Sequence, residues 1–141
     1  MEEHVKVWQR VKGETALPPI DGLPGLVAGS LSRAAYYSTL ARQMQGPARA
    51  ILIAMQEEEQ HCARCMKGIY RMITGNVLKP TAVPFTSENT EAGLRKCYSQ
   101  TLKAMFACNA RISDSEYGAV FTFLSEKMGQ HCCALTELMG F

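Results

Sequence analysis

The chain has 141 residues, 47% of them hydrophobic, which suits one domain with one buried core. Its formal charge is +2 with acids and bases interspersed, so there is no basic stripe of the kind that tracks phosphates, and nucleic acid is excluded as the expected partner. No apolar run approaches the roughly 18 residues of a membrane span, the start Met1-Glu2-Glu3-His4 lacks a leader pattern, and six cysteines without a secretion signal point to reduced thiols. These features predict a soluble, cytoplasmic chain with no membrane association.

In chain order, residues 1–24 mix Trp8 with Gly13, Pro18, Pro19, Gly22 and Pro24, and read as an N-terminal arm packed on a helical domain spanning 25–141. A first amphipathic helix follows from about Gly25. Its inward positions are Leu31, Ala34, Ala35, Ser38, Ala41 and Gln45, with Arg33 and Arg42 off that face. Gly46-Pro47 breaks it, and Pro47 suits the first turn of a second helix. That helix is expected to turn Ile51, Ala54, Glu58, His61, Cys65, Ile69 and Met72 inward and to end at Gly75-Asn76. Residues 76–87 carry Pro80 and Pro84 and form a long connection. A third helix begins near Asn89 or Thr90 with Leu94, Cys97, Thr101, Ala104 and Cys108 on one stripe. Ser113-Asp114-Ser115-Glu116 reads as a capping box for a fourth helix that buries Phe121, Leu124, Met128, His131 and Leu135.

Gln-His-Cys occurs at 60–62 and again at 130–132, a separation of 70 residues that suits a duplicated helical hairpin. The same offset takes Arg33-Ala34 to Lys103-Ala104, Tyr36 to Phe106 and Ile51 to Phe121. Two such hairpins could set His61 and His131 at a common interior point.

The run from Arg33 to Ala41, then Glu57-Glu58-Glu59-Gln60-His61, resembles the rubrerythrin and bacterioferritin branch of the ferritin-like superfamily. The resemblance implies an all-α, antiparallel four-helix bundle with a long crossover between helices 2 and 3. It also implies a dinuclear centre held by Glu-x-x-His on each of two helices and a lone Glu on each of the others. Glu58-x-x-His61 matches that pattern. Where the family has its other carboxylates this chain has Ser30, then Gln100 or Thr101, then Met128. Two hard cations would lack the oxygen ligands that hold them, so family-type iron chemistry is not expected. Only one Cys-x-x-Cys pair is present, Cys62 and Cys65, so a rubredoxin-like module is absent.

Glu58, His61, Cys65 and His131 remain as a ligand list for a single ion, iron, zinc or manganese, with plain core packing of the cysteines as the alternative. A solvated face is expected for Glu57 and Glu59, with Glu58 alone turned inward; Tyr36, Tyr37 and the methionines are expected to pack the bundle. The resulting expectation is a weakly metal-binding or non-catalytic binding or structural module, forming a homodimer. The alternatives are a metal-dependent oxidoreductase on the remodelled Glu/His/Cys site with an unidentified small-molecule or redox partner, and a thiol redox protein using Cys62 and Cys65.

Overall fold

The structure, a computed structural model, describes residues 19–81 and 83–140. Most of the expected N-terminal arm, with Trp8 and His4, lies outside the described residues. The described residues form four helices, α1 (Pro19–Gln43), α2 (Gly46–Thr74), α3 (Thr90–Asn109) and α4 (Gly118–Leu138), joined by non-helical connections. Among them no helix is long and apolar enough to cross a membrane.

Helix α1 starts at Pro19 rather than near Gly25, so Pro24 lies inside it. As the sixth residue of the helix Pro24 forfeits one intrahelical hydrogen bond, a loss confined to the first turns. α2 follows its sequence signals: Pro47 stands in the first turn, and Gly75, at φ 75°, closes the helix with its N–H on the Arg71 carbonyl. Asn89 caps α3, its side chain accepting from Ala92 N at 2.8 Å. The expected Ser113 capping box is not how α4 begins. A turn occupies 110–117, and Asp114 Oδ1 accepts from Glu116 N and Tyr117 N, both at 2.8 Å. The carboxylate at 114 is the stronger acceptor, so it organises the turn in place of the serine hydroxyl.

The four helices form a bundle in which α1 packs chiefly on α2 and α3 on α4, while α2 meets α4 and α1 meets α3 at fewer points. Every touching pair is antiparallel. Arg33 of α1 meets Glu59 of α2, Glu58 meets Lys127 of α4, and Ser125 meets Asn109 of α3. The connection from α2 to α3 lies against α1: Ser32 Oγ donates to the Val83 carbonyl at 2.7 Å, and the Tyr36 and Phe85 rings stand 4.5 Å apart.

Two apolar clusters fill the interior. One gathers Leu23, Val27, Met66, Ile69, Cys108 and Phe121; the other gathers Tyr37, Leu40, Leu52, Met55, Leu94 and Leu135. The stripes expected on α3 and α4 are all buried. That expected on α2 is turned by one residue. Leu52, Met55, Glu59, Cys62, Ala63, Met66 and Ile69 face inward, while His61, Ala54 and Met72 are exposed and Glu58 is half-buried. The run Ile51 to Met55 is apolar all round, so its periodicity left the phase open, and the observed phase buries the larger side chains Leu52, Met55 and Met66.

Gly93 of α3 is placed directly against α1. A Cβ there would overlap the Tyr36 hydroxyl and ring edge and stand 2.8 Å from Ser87 Oγ. Gly93→Ala should therefore lower stability by about 1–3 kcal/mol, although alanine favours a helix by about 1 kcal/mol over glycine. Thermal melts of Gly93→Ala in the wild-type and Tyr36→Leu backgrounds check this, with a smaller penalty expected in the second.

Candidate functional site: a polar layer at the bundle centre

Between the two apolar clusters lie Ser30, Arg33, Glu59, Thr101 and His131, all buried, contributed by all four helices. Arg33 is 2% exposed and Glu59 fully buried, and they form an ion pair from Nε to Oε2, with Nη2 3.4 Å from Oε1. Both residues were expected on solvated faces. They turn inward together because each supplies the opposite charge that the other needs in a low-dielectric interior. Burial alone would lower the Arg33 pKa, and the Glu59 carboxylate more than reverses this, raising it above the ordinary value.

The same guanidinium reaches two further helix positions. Nη2 stands 3.4 Å from Ser30 Oγ and Nη1 3.4 Å from Gln100 Oε1. The resemblance expects carboxylates at Ser30 and at Gln100 or Thr101; the structure sets the Arg33 guanidinium beside Ser30 and Gln100.

The four residues expected to bind one ion separate into two pairs. Glu58 Oε1 lies 3.0 Å from His131 Nε2, and Glu58 Oε2 lies 2.8 Å from Lys127 Nζ, at the α2–α4 seam. His61 is exposed, edge-on to Phe123 at 5.6 Å, with Cys65 Sγ 3.8 Å from its Nε2. The two imidazoles do not share an interior point: His131 is 1% exposed and His61 faces outward. Among the described residues no three His, Cys, Asp or Glu gather as a metal would require.

The tripeptide repeat is out of phase with the structural one. The buried stripe Leu52, Met55, Glu59, Cys62, Met66 corresponds to Phe121, Leu124, Met128, His131, Leu135. That is a shift of 69 rather than 70 residues, so Cys62 is the counterpart of His131 and Met128 that of Glu59. The expected Glu-x-x-His spacing is thus present in the layer only as Glu59-x-x-Cys62 and Met128-x-x-His131. The signal for Glu59 was its spacing from Leu52, Met55 and Cys62, outweighed in the sequence by Glu58-x-x-His61.

Electrostatics fix the protonation of the seam. Although partial burial would raise the Glu58 pKa, hydrogen bonds from Lys127 and His131 hold it below the ordinary value, and Lys127 is raised in turn by that contact. An ionised carboxylate only accepts, so His131 donates from Nε2. His131 Nδ1 and the Thr101 hydroxyl have no partner among the described residues. The Tyr37 hydroxyl faces the Cys97 thiol without a hydrogen bond of ordinary geometry, and burial raises its pKa well above the usual phenol value.

Desolvation pushes the thiols of Cys62 and Cys97 up to about 12 and Cys108 to about 11. None is a nucleophile near neutral pH, because the thiolate is the reactive form. All six cysteines are unpaired. Comparison with protein-family models, curated proteins and solved structures finds no match to this chain.

Removing one partner of the central pair leaves a buried charge uncompensated. Arg33→Met should destabilise by about 3–5 kcal/mol, and Arg33→Met/Glu59→Met should recover most of that. Urea unfolding of the two single variants and the double variant reads this as a coupling energy.

The raised thiols set a pH limit. Their folded pKa values lie above the unfolded value of about 8.5, so the stability they contribute is complete below that pH and is lost as pH rises from there towards about 12. Glu58 acts in the other sense: its stabilisation is present above the ordinary glutamate pKa and is lost as pH falls below it, by a small amount because the group is partly solvated. Urea midpoints across pH should fall at both ends, with Cys62→Val flattening the alkaline limb and Glu58→Gln the acid one.

Proposed function

We propose that the chain is a ferritin-like bundle of the rubrerythrin type in which an internal ion pair stands where the family holds metal, and that it works as a non-catalytic binding or structural module. The observation that carries this reading is the Arg33 guanidinium on Glu59. Family members neutralise inward carboxylates with two metal ions; here one carboxylate remains in the layer and an arginine neutralises it.

Kinship with that fold is supported by the connection lying along α1, which suits a crossover between the second and third helices, and by the matched inward stripes of α2 and α4. The repeated tripeptide gives no such support, because His61 is exposed and His131 buried. The residues present do not fit a dinuclear centre. Ser30, Thr101 and Met128 are not anionic, Glu59 is already bound, and a second cation pair beside Arg33 would meet like charge in a low dielectric. Of the mononuclear ligand list, Glu58 touches His131 and His61 touches Cys65 as separate pairs, and Lys127 occupies the second Glu58 oxygen.

Elemental analysis of protein purified with and without oxygen tests the reading. Iron, manganese and zinc should each fall well below one per chain, before and after incubation with excess Fe²⁺ or Zn²⁺ and desalting. Two irons per chain would overturn it. One zinc per chain that is lost in Glu58→Gln and His131→Ala would instead favour a mononuclear metal site, and one iron lost in the same variants would favour the metal-dependent oxidoreductase.

A further inference from the structure

We propose that the cleft between the first half of α1, the connection at 83–85 and the middle of α3 binds a small amphipathic anion: an apolar body carrying one carboxylate. The cleft measures about 420 Å³ and opens to solvent on one side. That lies within the ~300–1,000 Å³ of pockets that take small organic ligands.

The space exists because α1 presents Gly25, Ala28, Gly29 and Ser32 towards α3, side chains too short to close the gap between two helices. A Cβ on Gly25 would meet nothing within 4 Å. A Cβ on Gly29 would stand 3.1 Å from Arg33 Nη1, so glycine there leaves the guanidinium edge bare to the cleft.

Charge selects the head group. Lys96, Lys103 and Arg33 line the cleft, and among the described residues no acidic side chain does. Glu59 already neutralises Arg33, so the net positive charge comes from the two lysines. Lys96 Nζ is steered by neutral partners only, 3.3 Å from the Thr86 carbonyl and 4.7 Å over the Phe85 ring. Among the described residues neither lysine forms an ion pair. Two uncompensated cations beside a low-dielectric wall concentrate field on that wall and attract an anion.

The remainder of the lining selects the body. Leu26, Val83, Pro84, Phe85 and Ala104 make most of the wall apolar. A bare inorganic anion would satisfy the lysines and leave that wall wet, whereas a neutral hydrocarbon would cover the wall and leave the lysines uncompensated. An apolar carboxylate meets both. The cleft touches the central layer at Arg33 and Gln100, but binding there is read with an organic anion and the elemental analysis with a metal, so the two results are decided separately.

Calorimetric titration of the full chain with decanoate tests the proposal, with decanol and inorganic phosphate as comparison probes. One decanoate per chain is expected, with decanol and phosphate each at least about tenfold weaker. The Lys96→Gln/Lys103→Gln variant should bind decanoate about tenfold more weakly. Gly25→Phe, or Gly25→Leu if the larger ring perturbs the circular dichroism spectrum, should abolish binding by filling the cleft. Absence of decanoate binding at millimolar concentration would overturn the assignment, as would binding that survives the filled cleft, or decanol or phosphate binding as tightly as decanoate.

Discussion

A guanidinium and a carboxylate removed from water together govern how this bundle is put together. Desolvating two ions costs several kcal/mol each, and their attraction recovers this only when geometry and further hydrogen bonds are good. Arg33 meets Glu59 through two nitrogens and has Ser30 and Gln100 beside it, so the guanidinium has neighbours on three helices. The pair stabilises one arrangement over its neighbours more than it stabilises folding as such. Turning α2 by one residue would bring Glu58 inward and carry Glu59 away from Arg33, leaving a buried cation alone.

The same layer is where the two hairpins are joined by polar contacts. α1 packs closely on α2 and α3 on α4, and across the seams the contacts among the described residues include Arg33 with Gln100 and Glu58 with His131 and Lys127. Apolar clusters above and below supply adhesion without direction, since hydrophobic burial scales with area and has little angular preference. Direction comes from the polar layer. Its chemistry is correspondingly quiet: the carboxylates are paired and the neighbouring thiols are held protonated by burial. The cleft at the α1–α3 seam follows from the same looseness, because small residues on α1 leave a gap there that the connection at 83–85 only partly covers.

Much of the helical frame was legible in the sequence, for reasons tied to particular residues. Gly46-Pro47, Gly75 and Asn89 act through local backbone chemistry, so they marked the ends of α2 and the start of α3 without knowledge of what packs where. The stripes of α3 and α4 were legible because Leu94, Cys97, Thr101, Ala104 and Cys108, and likewise Phe121, Leu124, Met128, His131 and Leu135, recur at three-to-four spacing. The start of α1 was obscured by prolines that a helix tolerates near its N-terminus, and the α4 cap by a serine and an aspartate competing for one turn.

The candidate site was legible only in its ingredients. Sequence alone determined that acids, two histidines and several thiols stood at helical spacing on the second and fourth helices, that Ser30 and Met128 carry no charge, and that no charged stripe was available for nucleic acid. Tertiary structure decided which of Glu58 and Glu59 is inside, that Arg33 is its partner, and that His131 is buried while His61 is not. The reason is that Ile51 to Met55 are apolar all round, so the phase of α2 is not fixed locally. It is set by whichever rotation lets every buried charge find its opposite on another helix, and that partner lies 26 residues away from Glu59 in the chain.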